Sequence, residues 1–551
     1  MTGAEILIET LISLGVDTIF GYPGGSVLPI YDILGKNSDR IRHVLSSHEQ
    51  GAAHAADGYS RASGKTGVVI ATSGPGATNL VTGIAAAYMD SSPLLAITGN
   101  VSLSSIGSDA FQEVDIAGIT MPITKHNYIV KSSEDISRVI REAYALTRSG
   151  RPGPVVVDIP RDIAEEETEV SDVEEMHLNI PVRRTRLPDM RDIDYILSFK
   201  STVIIAGGGV SLSDTGGYAE TLADMIDAPI VATMMGLASI DARSARFAGM
   251  IGTHGLLEAN RILRSSDLVI ALGTRFNERV AVSFKSAPPD RKIFQIDIDS
   301  SEINKNILVN RHLTGDLREI LPELIRLMKN GKSRPSGTAP ERLANTESER
   351  YEGALLPEFI LRKLSKIKES GDIIVTDVGQ HQIWTTMYYD FVRPRSFITS
   401  GGLGAMGFGM GAAVGAAIAK KGSRVFLITG DGSFHMNMGE LSTAVRQNLN
   451  ITVIVINNHS LGLVRQLQKY TLGGRYFSVD YPHRTDFALL AQAMGAGGYE
   501  AKTPESFCAV LDAAIRGDGP AVIDCIISPE EELPIYSQRN IEYTENGEVF
   551  L

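Results

Sequence analysis

The chain has 551 residues, enough for three or four domains at roughly 100–200 residues each. Hydrophobic residues make up 43% and charged residues 21%, the balance of a protein with a sizeable core. Acidic residues outnumber basic ones 65 to 52, for a formal net charge of −13, and no Lys/Arg cluster offsets this; a general nucleic-acid or anionic-membrane surface is therefore excluded, and any phosphate ligand must be held locally.

The first segment, MTGAEILIETLISLG, carries Glu5 and no basic cluster, so it reads as an amphipathic helix and not as a signal peptide. Short β-branched runs then alternate with helical periods. The expected strands are Ile41–Leu45, Val68–Ala71, Leu94–Thr98, Val155–Ile159, Val203–Ala206, Leu268–Leu272, Ile293–Ile296, Ile373–Thr376, Val425–Thr429, Thr452–Ile456 and Ala521–Ile526. Continuous apolar strands between helices predict parallel sheets covered on both faces, with ligands beyond the carboxyl ends of the strands. Two polar stretches, Asp162–Pro188 and Lys329–Ser348, read as linkers. The expected fold is α/β, three doubly wound and mostly parallel-sheet domains at 1–165, 190–330 and 350–530, with a tail at 531–551. No apolar run reaches the ~18 residues of a membrane span. Two cysteines, Cys508 and Cys525, form no CxxC, which fits a reducing cytoplasm. Glycine is in excess, 54 residues, and is expected at turns and close backbone approaches to ligands; tryptophan occurs once, at Trp384.

The sharpest motif lies in the third block. The strand in RVFLITGDGSF ends at Gly430-Asp431-Gly432, and the next strand, ITVIVINN, ends at Asn457-Asn458. A right-handed crossover brings such strand ends together. Asp431 and Asn458 supply hard oxygens of the kind that Mg²⁺ shares with substrate phosphates, and the glycines let the backbone approach a diphosphate. Either motif alone reads equally as a surface turn or a helix cap; the pair matches the thiamine diphosphate fingerprint. That cofactor needs a carboxylate at its aminopyrimidine N1′. Glu49, in SSHEQGAAHAADGYSRASGK, stands at the start of an alanine-rich helix, where the helix terminus favours ionisation and burial opposes it.

Segments from Phe20 to Gln468 resemble the thiamine-diphosphate-dependent 2-oxoacid carboligases, best of all the acetohydroxyacid synthase (acetolactate synthase) catalytic subunits. They are FGYPGGSVLPIYD, HEQGAAHAADGY, ATSGPGATN, DAFQEVDIAGIT, GRPGPVVVDIPRD, MIGTHG, LGTRFNERV, GQHQIW, GGLGAMGFG, GDGSF and NN followed by LGLVRQ. The resemblance implies thiamine diphosphate, Mg²⁺ and FAD as cofactors. It implies pyruvate and a second 2-oxoacid as substrates, and the first common step of branched-chain amino-acid biosynthesis. It makes Glu49 the N1′ carboxylate, Gly25 the approach to the thiazolium and Gln112 a residue near substrate, with Phe111, Arg161 and Leu467 lining the substrate path. Met406 props the cofactor, while Gln380, His381, Gly404, Gly432 and Ser433 hold its pyrimidine and diphosphate. Asp431, Asn458 and the backbone oxygen of Ser460 ligate Mg²⁺. Arg151, Gly207, Gly208, Gly209, Thr233, His254, Gly255, Arg275, Asp297 and Asp316 hold FAD in a central domain. In this family the active site lies between the first block of one subunit and the third block of another, so a homodimer is the minimum unit; a tetramer and a regulatory small subunit are further possibilities within it.

Three positions depart from the family pattern. Leu467 stands where a substrate-selecting tryptophan is usual, Thr253 replaces a Met, and Arg161 replaces a Lys. The first predicts weakened preference for 2-oxobutanoate over pyruvate. The rival readings are another thiamine enzyme (a decarboxylase, an oxidase or glyoxylate carboligase) and a non-catalytic relative. The absence of a His-His pair and the presence of Glu49, Asp431 and Asn458 weigh against the decarboxylase, glyoxylate carboligase and non-catalytic readings.

Overall fold

The computed structural model describes residues 1–169, 185–281, 284, 290–329 and 353–533. Most of both expected linkers and most of the expected tail lie outside them. The described start of the first linker is ordered, since Arg161–Glu165 is a helix.

Three six-stranded sheets form, and every pairing with a stated register is parallel. The first sheet contains β1 (Thr18–Tyr22), β2 (Arg42–Leu45), β3 (Gly67–Ala71), β4 (Leu94–Asn100), β5 (His126–Ile129) and β6 (Pro154–Pro160), in the order β2-β1-β3-β4-β6-β5. The second contains β7 (Thr202–Ala206), β8 (Ile230–Ala232), β9 (Phe247–Met250), β10 (Leu268–Leu272), β11 (Lys292–Asp297) and β12 (Arg311–Thr314), in the order β12-β11-β10-β7-β8-β9. The third contains β13 (Ile373–Thr376), β14 (Phe397–Ile398), β15 (Val425–Gly430), β16 (Ile451–Asn457), β17 (Gly497–Ala501) and β18 (Ala521–Ile526), in the order β14-β13-β15-β16-β18-β17. The first and third sheets thus share one strand order. The second, read from β9, has the 3-2-1-4-5-6 order of dinucleotide-binding sheets. The three doubly wound domains expected from the strand pattern are present.

The chain divides into two compact units. One holds the first and third sheets, from residues 1–169, 371–381 and 398–529; the other holds the second sheet. Within the first unit, the alanine-rich helix Glu49–Ser63 packs along the helix Phe408–Ala419, whose residues Phe408 to Ile418 are all buried. Glycine makes that approach possible. A Cβ on Gly58 would stand 2.6 Å from the Ala412 Cα, and one on Gly415 would stand 2.6 Å from the Tyr59 N. Part of the glycine excess therefore serves helix packing, in addition to the ligand-facing turns expected of it. Arg61, its side chain only 10% exposed, locks the seam. It pairs with Asp57 at 2.7 Å and Asp90 at 3.0 Å and donates to the Thr399 carbonyl at 2.7 Å. Losing one partner of such a buried set would leave an uncompensated charge.

Among the described residues no helix is long and apolar enough to cross a membrane. Cys508 and Cys525 are both free. Gly415→Val should drive the two helices apart and lower the thermal midpoint on the order of 5 °C, because overpacking a tight seam costs a few kcal/mol. A midpoint equal to the parent's in a calorimetric scan would contradict this packing.

Candidate active site

In the third sheet, adjacent strands β13, β15 and β16 end at Thr376, Gly430 and Asn457, and the site residues follow directly. Asp431 is 4% exposed. Burial raises its carboxyl to about 7, the Asp524 charge adds to this, and backbone N–H groups of Gly432 and Ser460 only partly offset it. Asn458 is fixed by its neighbours: its Nδ2 donates to Gln380 Oε1 at 3.3 Å, and its Oδ1 accepts from the Ser460 N–H at 3.1 Å. Gln380 in turn donates to Gln466 Oε1 at 2.9 Å. His381 sits between two glycines. A Cβ on Gly379 would stand 2.7 Å from its ring, and one on Gly430 would stand 2.9 Å from its Nδ1. Burial holds that imidazole down at about 3, so it is neutral at physiological pH. Ser433 donates to the Val378 carbonyl at 2.8 Å.

These residues fit a divalent cation shared with a diphosphate. Asp431 is a buried carboxylate with no protein cation among the causes of its shift, and the buried Ser460 hydroxyl has no hydrogen-bond partner. Among the described residues no group of three or more His, Cys, Asp or Glu forms a metal cluster. The candidate set is instead one carboxylate, one amide and a backbone oxygen, which suits a hard ion that completes its shell with phosphate and water.

Two further buried carboxylates, not singled out in the sequence, pin the glycine-rich loop above this edge. Asp90 accepts from the Gly401 and Gly402 N–H groups at 3.2 and 2.7 Å. Asp377 accepts from Gly407 and Gly409 at 2.9 and 3.1 Å, and Asn437 donates to the Gly407 carbonyl at 2.9 Å. Between the pins lie exposed Leu403, Gly404 in the left-handed region at φ +69°, and Met406. The Met406 Cε lies 3.8 Å from where a Gly432 Cβ would be.

The first-sheet residues gather around one turn, Thr72–Gly76. Glu49 begins its helix behind the cap residue His48, and its Oε2 accepts from Asn79 Nδ2 at 2.9 Å. Its Oε1 lies 3.3 Å from a Gly76 Cβ position. The backbone of Gln112, at φ +62°, closes over Gly74, where a Cβ would meet its carbonyl oxygen at 2.8 Å. Ser26, next to Gly25, shares a 2.9 Å hydrogen bond with Thr72, and the face of Gly25 is open. Thus Gly25, Glu49 and Gln112 are brought to one turn. Glu440, also missed in the sequence, accepts from the Ser47 and His48 N–H groups at 2.9 Å each and so fixes the corner that carries Glu49. Phe111 is 87% exposed. Arg161 is exposed and pairs with Glu165 at 2.9 Å, and Leu467 lies exposed on the helix Gly462–Thr471.

In the other unit, the residues expected to hold FAD follow the carboxyl ends of the second sheet's strands. Gly207–Gly209 follow β7, Thr233 follows β8, His254 and Gly255 lie shortly after β9, Arg275 follows β10, Asp297 ends β11 and Asp316 follows β12. The Gly207–Gly209 turn meets Gly273: the Gly209 N–H donates to the Gly273 carbonyl at 3.0 Å, and Gly273 has φ +56°. These glycines therefore serve a backbone-to-backbone approach as well. Asp297 Oδ1 accepts from the Asp299 N–H at 2.9 Å, and Asp316 pairs with Arg318 at 2.6 Å. Burial pushes His254 down to about 4, next to Arg279 at 3.5 Å. A glycine turn and a carboxylate on a sheet of this strand order fit a dinucleotide. Arg151 belongs to the first unit, where its Nε donates to Ser91 at 2.8 Å.

Residues 1–119 match the N-terminal TPP binding domain of thiamine pyrophosphate enzymes, residues 192–324 their central domain, and residues 377–525 their C-terminal TPP binding domain. The acetolactate synthase large subunit of Mycobacterium tuberculosis is 41% identical over 561 residues, covering 97% of this chain and 89% of that protein. The chain belongs to the acetolactate synthase large-subunit family. The probable acetolactate synthase large subunit of Methanococcus aeolicus is 40% identical, covering 97% of this chain and 93% of its own. That of Buchnera aphidicola from Schizaphis graminum is 39% identical, covering 94% and 92%. Membership of the acetolactate synthase family brings thiamine diphosphate to this chain as its family cofactor.

Asp377 gives this site a pH signature. Burial lifts its folded value to about 6, above the usual 3.8, so between pH 4 and 6 the folded state holds the extra proton and stability falls as pH rises. In Asp377→Asn that loss is absent. The stability difference between variant and parent should therefore move in favour of asparagine by up to about 1.4 kcal/mol per pH unit in this window. A pH-independent difference in denaturant titrations would contradict the assignment.

Proposed function

We infer that this chain catalyses the acetolactate synthase reaction. It decarboxylates pyruvate and transfers the remaining hydroxyethyl unit to a second 2-oxoacid, giving CO₂ and, with pyruvate as acceptor, 2-acetolactate. The observation that carries the reading is the strand-end constellation of Asp431, Asn458 and Ser460 beside Gly430 and Gly432. Asp431, Asn458 and the Ser460 backbone oxygen would hold Mg²⁺, with Gln380 turning the Asn458 amide so that its oxygen remains available. Gly432, Ser433, His381 and the pinned loop at Gly404 and Met406 would hold the diphosphate and pyrimidine. Thiamine diphosphate, when bound, supplies a nucleophilic carbon and an electron sink for decarboxylation.

The chain's own residues then bind, orient and exclude water. Glu49 holds a proton at the aminopyrimidine N1′, and Asn79 keeps its carboxyl oriented. Arg161 offers a cation to a 2-oxoacid carboxylate. Gln112 and Gly25 border the reacting edge, and Phe111 covers it from water. FAD would occupy the second-sheet edge at Gly207–Gly209, Thr233, His254, Arg275, Asp297 and Asp316. The two free cysteines agree with a cytoplasmic setting.

The working unit is a homodimer, with Glu49 of one chain serving the Asp431 edge of another. Exposed apolar residues on both sides support this: Tyr22, Leu28 and Phe111 near the first-sheet turn, and Leu403, Val464 and Leu467 near the third-sheet edge. Glu49→Gln should fold and lose most activity. Mixed dimers of Glu49→Gln with Asn458→Ala should regain activity, because one of their two sites is intact. No recovery in co-expressed, separately tagged dimers would refute the shared site.

Leu467 makes the acceptor pocket less selective than one walled by an indole. One methylene in an apolar pocket is worth about 1–3 kcal/mol of discrimination, and losing a wall removes much of it. With equal pyruvate and 2-oxobutanoate, both products should form in comparable amounts, and Leu467→Trp should shift the ratio roughly tenfold toward acetohydroxybutyrate. A strong excess of acetohydroxybutyrate from the parent protein would rule this out.

A further inference from the structure

The loop that follows the helix Gly462–Thr471 returns over the candidate cation edge and is stitched to it. The Leu461 N–H donates to the Val479 carbonyl at 2.7 Å, and the Tyr481 N–H donates to the His459 carbonyl at 2.9 Å. Ser460 and Asp480 form an isolated antiparallel bridge, and Arg465 pairs with Asp480 at 3.2 Å. These contacts place Tyr481 over the turn that carries Asp431 and Gly432. A Cβ built on Gly432 would lie 3.0 Å from the Tyr481 hydroxyl, 2.6 Å from the Leu461 Cδ2 and 3.8 Å from the Met406 Cε. The hydroxyl thus packs over the face of Gly432, beside Leu461 and Met406.

The ring is propped from behind. His435 stands 5.8 Å from it, centroid to centroid, and is itself held by a 2.8 Å hydrogen bond between its Nε2 and Thr485 Oγ1. Phe487 closes the other side of His435 at 4.9 Å. The phenol is only about one-third exposed, yet its hydroxyl makes no hydrogen bond to any described residue. An oriented ring with an unused donor, packed over the glycine that follows Asp431, is placed to offer that donor to a ligand held at the turn.

We propose that Tyr481 is a cofactor-binding residue whose hydroxyl donates a hydrogen bond to a diphosphate oxygen of thiamine diphosphate held at the Gly432 turn. The inference rests on the reading of this edge as the cofactor site. It concerns the chain's local anion recognition: with a net charge of −13 and no basic cluster, neutral donors must do part of the work of holding a diphosphate. Partial burial and the nearby Asp431 carboxylate raise this phenol above its ordinary value, so it keeps its proton at neutral pH and adds no charge to neutralise. A hydrogen bond to a charged acceptor of this kind typically contributes enough for about a tenfold change in affinity.

The test is calorimetric titration of the purified full chain and its Tyr481→Phe variant with Mg²⁺ and either thiamine diphosphate or inorganic diphosphate. Removing one oxygen keeps the ring against His435. The expected result is a roughly tenfold weaker Kd for both ligands, with the cofactor-free thermal midpoint unchanged. Equal affinities for thiamine diphosphate would overturn the proposal. So would weakened binding of thiamine diphosphate with inorganic diphosphate unaffected, since the hydroxyl would then face another part of the cofactor. A lowered cofactor-free midpoint would assign Tyr481 to the fold and overturn it as well. If the parent chain itself fails to bind Mg²⁺ with thiamine diphosphate, it is the cofactor reading of the edge that falls.

Discussion

The structure turns on a carboxylate, Asp431, placed just after a fully buried strand, with no cation of the described residues among the groups that set its protonation. Left so, it costs stability, because charge in a poorly solvated site is penalised. A divalent cation held there would remove that penalty. The surrounding choices follow. Asn458 would have to present an oxygen, and Gln380, itself held by Gln466, accepts from its amide nitrogen. Gly430 and Gly432 must lack side chains, because His381 and Tyr481 occupy the space.

The same solution recurs around this edge. Buried carboxylates fasten backbone N–H groups at three corners: Asp90 at Gly401–Gly402, Asp377 at Gly407 and Gly409, and Glu440 at Ser47–His48. Each satisfies donors at a turn or helix start that would otherwise be orphaned in the interior. Together they hold both the loop bearing Met406 and the corner bearing Glu49. The seam of Glu49–Ser63 against Phe408–Ala419 then ties the first sheet to the third through Gly58, Gly415 and Arg61.

Much of this was legible in the sequence. Strands such as Val68–Ala71 and Thr452–Ile456 announce themselves because central parallel strands are apolar on both faces, and GDG with NN announces the candidate site because both motifs stand at strand ends. The strands that went unread include β5, β9, β12, β14 and β17, which lie at sheet edges; there one side lacks a neighbour and residues such as Arg311, His312 and Gly497 are tolerated. β8 is interior but has only three residues, whereas β1 is interior with five, as many as β3, and length does not account for it. Asp90, Asp377, Glu440 and Tyr481 could not be read either, because what they do depends on partners that share no local pattern with them. Asp90 meets Gly402 across 312 positions and Glu440 meets His48 across 392. The glycine excess was read for ligand turns, whereas several glycines, Gly58 and Gly415 among them, permit helix contact, and composition does not distinguish the two uses.

The central claim is that Asp431 closes a Mg²⁺–diphosphate site on this chain. The most direct measurement is binding of thiamine diphosphate to the parent chain and to Asp431→Asn, each with Mg²⁺ present and with Mg²⁺ chelated. The account predicts Mg²⁺-dependent binding by the parent, and weak binding by the variant that Mg²⁺ no longer improves. Equal, Mg²⁺-dependent affinities in the two proteins would contradict it.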